Sequence, residues 1–101
     1  MNKKETIGLE TILQASQRQV STDLQGEMVI LNLDSGIYYG LDSIGADVWR
    51  MIQKPRSVKS ILDALLDKYD VAPERCETDL VSLLQDLHAN ALVVIHDQEI
   101  A

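Results

Sequence analysis

Cys76, His88 and His96 carry the side chains most able to do covalent or metal chemistry, and their spacing supports neither. A thiol nucleophile needs a neighbouring base and an electropositive setting. Cys76 instead falls on the apolar stripe of a predicted helix, where it reads as a buried structural thiol. A metal site needs several convergent ligands. No Cys or Asp stands at a telling distance from either histidine, so no metal and no cofactor is expected. The five glycines are scattered and form no phosphate-binding loop. A serine nucleophile would need a base and an oxyanion hole, which nothing marks. The chain is expected not to be an enzyme.

Recognition chemistry is better represented. The stretch IYYGL, from Ile37 to Leu41, carries two of the three tyrosines and neither charge nor proline. A sheet edge offers unpaired N–H and C=O groups to another chain, and proteins usually blunt such edges with lysine, proline or a bulge. An unblunted strand with aromatic neighbours suits the addition of an extended peptide. Backbone bonds would supply affinity and side-chain pockets specificity. Tyr39 also admits a plainer reading as core, with Tyr38 covering the opposite face.

The elements that must hold this strand can be placed from pattern alone. Thr11 to Leu13 suggests a strand and Val20 to Leu24 a second extended piece. Gln25-Gly26 marks a turn. Met28 to Leu33 is a strand whose Val29, Leu31 and Leu33 alternate onto one face, read as the buried one. Gly36 closes the following loop in a left-handed conformation, and Ile37 to Leu41 returns. A helix opens at Asp42 or Ser43, buries Ile44, Val48, Trp49 and Ile52, and ends at Lys54-Pro55. Ser57 caps a second helix, whose Val58, Ile61, Leu62, Leu65, Leu66 and Tyr69 keep a helical period. Pro73 opens a third, with Cys76, Leu80, Leu83, Leu84 and Leu87 inside and Asn90 as its left-handed end. Leu92 to Ile95 is a closing strand, and both chain ends, about 1–6 and 96–101, are expected to be loose.

The expected fold class is α+β: a winged helix-turn-helix with an N-terminal three-stranded antiparallel sheet followed by three helices. Its 101 residues make a single domain over 1–101. Winged helices often put the last helix of the trio into the major groove. Here that helix carries Arg75 against Glu74, Glu77, Asp79 and Asp86. The whole chain has nine Lys and Arg against sixteen Asp and Glu, a net charge of −7. Phosphate would repel it, so neither nucleic acid nor an anionic membrane is an expected partner. Apolar runs such as MVIL and ALVVI are too short to span a bilayer, and the N-terminus lacks the apolar segment of a signal peptide. A lone cysteine fits a reducing compartment, and the expected localisation is cytoplasmic.

The runs VILNLDSGIYYGLDSIGADVWRMI, SVKSIL and TDLVSLLQDLHANALV together resemble the PqqD-like family, over about Leu24 to Ile95. These are the leader-peptide recognition elements of pathways that make ribosomal, post-translationally modified peptides. The tyrosine pair, Gly36, Leu41, Gly45, Trp49 and Asp79-Leu80 carry the likeness by their order and spacing. Asn90 departs from it, since the family often has Gly there. The resemblance implies a non-catalytic protein that holds a leader segment as an added strand in a groove closed by the third helix. It places the peptide against Ile37, Tyr38, Tyr39, Gly40 and Leu41 on one side. On the other it places Cys76, Leu80 and Leu83, with Asp79 at the margin to accept a hydrogen bond or meet a lysine. Leu84 and Leu87 are left to the core. The chain is most similar to the stand-alone proteins of lasso-peptide clusters. There the partner is a separate leader peptidase of the transglutaminase-like cysteine protease type, with a cyclase acting afterwards. The other pathway the resemblance admits is pyrroloquinoline quinone assembly, where the partner is a radical SAM enzyme.

Overall fold

The computed structural model describes residues 7–96. Along the chain run β1 (Ile12–Ala15), β2 (Gln19–Leu24), β3 (Glu27–Asn32), β4 (Tyr38–Leu41), α1 (Ser43–Met51), β5 (Arg56–Ser57), α2 (Val58–Lys68), α3 (Pro73–Ala89) and β6 (Val93–His96). The fold is α+β with three helices among the described residues, but the strands form two antiparallel sheets rather than one. The order in one is β2-β3-β4 and in the other β5-β1-β6. The closing strand therefore does not stand alone as a wing. Val93 pairs with Ala15 and His96 with Ile12, while Ser57 flanks Ile12 on the other side. The winged helix-turn-helix expectation holds for helix order and not for the sheets. β5 is too short to leave a periodicity in the sequence. The expected loose ends lie outside the described residues except for His96, which ends β6 and bonds Gln14 at 2.9 Å.

Trp49, Leu13, Ile30, Ile52, Ile61, Leu84 and Leu87 lie at the centre of one core shared by both sheets and all three helices. The phase of β3 is the opposite of the expected one. Met28, Ile30 and Asn32 are buried, Val29 and Leu31 are half-buried, and Leu33 is exposed. Both faces of the strand are apolar, so hydrophobicity could not choose between them.

Helix ends follow their local chemistry. Asp42 caps α1 by accepting from the Gly45 amide at 2.8 Å, and Ser57 caps α2 by accepting from Ser60 at 3.1 Å. Pro73 is the first residue of α3, as expected. α1 stops at Met51, before Lys54-Pro55. Its capping residue Ile52 gives its carbonyl to the Ala15 amide of β1 at 2.8 Å. At the end of α3, Asn90 has φ −96°, and Ala91 takes the left-handed conformation at φ 58°.

Candidate functional site

β4 is the outer strand of its sheet, and its second edge has no strand beside it among the described residues. The pairing register shows which groups that edge offers. Asn32 donates to the Ile37 carbonyl at 3.0 Å, so this rung is hydrogen-bonded, and rungs alternate along an antiparallel pair. With Ile30 opposite Tyr39 and Leu31 opposite Tyr38, the backbone of Ile37, Tyr39 and Leu41 turns toward β3. The N–H and C=O of Tyr38 and Gly40 turn outward. Those two residues form the free edge.

Beside the edge lies a groove of about 350 Å³. β4 contributes Tyr39, Gly40 and Leu41. Asp42, Ile44, Gly45 and Val48 come from α1 and its cap, Leu65, Tyr69 and Val71 from α2 and the turn after it, and Arg75, Cys76, Asp79, Leu80 and Leu83 from α3. Leu41, Val48, Leu65 and Leu80 are buried and make an apolar floor. Gly45 allows the close approach of α1 to β4: a Cβ there would lie 3.1 Å from Leu41 Cδ2.

Of the residues named from sequence, Tyr39, Gly40, Leu41, Cys76, Asp79, Leu80 and Leu83 line the groove together. Ile37 and Tyr38 do not. Ile37 precedes β4 and is exposed, and Tyr38 projects onto the opposite face of the sheet, 68% exposed. Tyr39 is neither wholly core nor wholly surface. It packs on the core while lining the groove, and burial followed by the Asp86 charge raises its phenol pKa. Leu84 and Leu87 are fully buried, as expected.

The groove holds no activated nucleophile. Burial, then the charge of Asp79, raises the pKa of Cys76, which keeps the thiol protonated. Arg75 is the one cation among the described lining residues. Its Nε donates to Asp79 at 3.2 Å, an exposed pair one helical turn apart that adds little stability.

Two groups that shape the groove were not singled out from sequence. Asn32 is buried at the end of β3. Its Oδ1 accepts from the amides of Asp34 (2.8 Å) and Ser35 (3.1 Å), and its Nδ2 donates to the Asn90 carbonyl at 2.9 Å. It thus shapes the β3–β4 loop and ties it to the end of α3. The signal was a lone amide in an apolar strand, hidden by the inverted phase. Tyr69 borders the groove and donates its hydroxyl to Asp47 of α1. Asp47 also accepts from Lys68 at 2.8 Å and Arg50 at 3.1 Å. Hydrogen bonds from Lys68 and then Tyr69 hold its carboxyl below the usual carboxylate range. Its partners lie on α2 as well as α1, so periodicity within one helix cannot reveal it.

A strand edge left unpaired among the described residues, lying over an apolar groove, is the geometry of a small recognition element. The chain belongs to the family of coenzyme PQQ synthesis protein D (PqqD), whose model matches residues 27–93. In this family it is a PqqD-like recognition element and not an enzyme. Among solved structures it is similar to "TbiB1 in Complex with the TbiA(beta) Leader Peptide", at 30% identity and TM-score 0.74, over 87% of this chain and 98% of that one. It shares the fold of "Lasso peptide synthetase B1 complexed with the leader peptide", at 21% identity and TM-score 0.71, over 81% and 96%. No curated protein matches the chain. No helix among the described residues is long and apolar enough to cross a membrane.

Proposed function

We propose that this chain, acting as one domain over residues 1–101, binds the leader segment of a ribosomally made precursor by strand addition to β4 and delivers it to a separate leader peptidase. The carrying observation is the free edge at Tyr38 and Gly40 alongside the groove. Each backbone bond to that edge contributes roughly 0.5–1.5 kcal/mol net. Inward side chains of the guest seat on Leu41, Val48, Leu65 and Leu80, between Tyr39 on one wall and Cys76 and Leu83 on the other. Asp79 at the rim accepts from a guest N–H or lysine. In this reading the helices keep the order of a winged helix-turn-helix while α3 serves a peptide groove rather than DNA. The leader complexes of the similar structures support the leader as guest and lasso-peptide maturation as pathway. The peptidase is of the cysteine type, a cyclase follows it, and the setting is cytoplasmic.

The family's own description favours one alternative, a peptide chaperone for a radical SAM enzyme in pyrroloquinoline quinone-type biosynthesis. Both readings are tested by titrating the protein with synthetic leader peptides. Saturable binding of the cognate lasso leader, lost in Leu80→Asp, supports the first. Binding only of a pyrroloquinoline quinone precursor supports the second, and binding of neither defeats both.

A further inference from the structure

Nothing in the described fold requires a glycine at position 40. Its φ is not positive, and a Cβ built on it would meet nothing within 4 Å. Gly45, by contrast, has Leu41 in the way. Glycine inside a strand costs stability, and without a bend to make or a neighbour to spare it marks a close approach by another chain. The register shows which side it leaves open. Tyr39 and Leu41 pair with buried Ile30 and Met28, so their side chains point inward. Position 40 therefore points outward with Tyr38, beside half-buried Val29. The free edge thus has a notch. Gly40 is its floor, Val29 its back, and the Tyr38 ring, 68% exposed, its flank.

We propose that Gly40 is a specificity-determining residue whose notch seats an aromatic side chain of the guest strand. The proposal rests on the leader-binding reading and adds what the leader must contain. The β2–β3–β4 sheet is antiparallel throughout, and a guest that continues it pairs one residue with Gly40 and the next but one with Tyr38. Paired residues send their side chains to the same face, so guest residues opposite Leu41 and Tyr39 enter the groove while those opposite Gly40 and Tyr38 stand outside. Opposite Tyr38 the ring already covers the strand. Opposite Gly40 the backbone is bare, and a large flat side chain lies across it and meets Val29 and Tyr38. Aromatic residues set against edge glycines stabilise sheets in this way. The guest is therefore an extended segment with an aromatic residue between two apolar ones. Proline is excluded at the aromatic position, where the guest N–H bonds β4, and tolerated at the two flanking positions, where it turns away.

The experiment titrates the full chain with the synthetic cognate leader and with a set of leaders in which each residue in turn is Ala. Gly40→Val fills the notch and keeps the N–H; Gly40→Ala fills it in part. Both side chains enter open space, so both variants are expected to hold or raise the thermal midpoint. Leader affinity is nonetheless expected to fall about five- to tenfold in Gly40→Val and about two- to threefold in Gly40→Ala. A role in supporting the fold would not lower affinity while stability holds. Ala at one aromatic leader position is expected to cost wild type at least about fivefold and Gly40→Val less than about twofold, while the apolar positions beside it cost both proteins alike. Should Gly40→Val lose its midpoint, the same coupling is read in Gly40→Ala. Full affinity of the substituted chain overturns the proposal, as does a loss coupled to no leader position or to one that is not aromatic. A wild type that binds no leader defeats the leader reading and this proposal together; saturable binding without the coupling defeats this proposal alone.

Discussion

The side-chain amide of Asn32 donates to the backbone carbonyl of Asn90 across 2.9 Å, joining the β3–β4 loop to the end of α3. The two elements on either side of the groove are thereby fastened at one end by a single buried side chain. Replacing Asn32 by Ala removes that bond and both loop bonds to Asp34 and Ser35. The cost is expected at about 1–2 kcal/mol, because the buried side chain of Asn32 gives up three bonds while the exposed Asn90 carbonyl and the loop amides regain water. Urea unfolding measures it. Leader affinity should fall as well, since Tyr39 and Leu83 lose their fixed separation; full affinity in a destabilised variant would show that the loop does not set the groove.

The free edge can be tested apart from the groove. Gly40 turns its N–H away from β3, so Gly40→Pro removes a donor from the edge and no bond from the β3–β4 ladder. Proline is tolerated on the solvent side of an edge strand. The variant is expected to fold, with circular dichroism unchanged, and to lose about two- to tenfold in leader affinity, the equivalent of one lost bond. Tyr39→Pro is its contrast, since that N–H points into the ladder, and it should unfold or lose stability sharply. Equal binding by Gly40→Pro and wild type would rule out strand addition at β4.

The Asp47–Tyr69 bond closes the groove between α1 and α2 and makes a pH signature. The Asp47 carboxyl lies below its ordinary value of 3.8, held down by Lys68 and Tyr69. A depressed acid contributes stability above its unfolded pKa and loses it as pH falls through the folded one. The stability gap between wild type and Asp47→Asn is therefore constant from about pH 5 to neutrality and closes in the acid limb. Tyr69→Phe should cost about 1 kcal/mol and shift acid unfolding to slightly higher pH. Denaturant midpoints taken from pH 2 to pH 7 decide it; a gap that does not depend on pH would refute the assignment.

Sequence reasoning reached what one element can encode by itself. The caps at Asp42 and Ser57, Pro73 at the start of α3, the Gly36 turn at φ 75° and the inner residues Leu80, Leu84 and Leu87 all stand where chemistry and period put them. β4 and α3 were legible as the two sides of a groove because of the resemblance to a known family, not from periodicity. What stayed hidden depends on more than one element. The phase of β3 was ambiguous because both of its faces are apolar, and the same error concealed Asn32. The second sheet rests on pairing Ile12 with His96, which no local pattern announces. Asp47 and Tyr69 meet only once α1 and α2 are packed.

The end of α3 gives a prediction in which two neighbouring substitutions differ in sign. Sequence favours Asn90 as the left-handed residue, but its φ is −96°. Its Nδ2 instead donates back to the Asp86 carbonyl at 2.8 Å. Ala91 carries the positive φ of 58°. Its amide bonds the His88 carbonyl at 3.0 Å, and the Leu92 amide bonds the Leu87 carbonyl at 2.9 Å. Those two bonds form the Schellman arrangement, which favours glycine at the position Ala91 occupies. An L-residue there costs about 1–2 kcal/mol, and glycine returns part of that gain as unfolded-chain entropy. Ala91→Gly is therefore expected to stabilise by about 0.5–1 kcal/mol, seen as a higher urea midpoint at unchanged slope. Asn90→Gly should destabilise by about 1 kcal/mol, because it relieves no strain and loses the bond to Asp86. The opposite pair of signs would place the left-handed residue at position 90, where the sequence alone puts it.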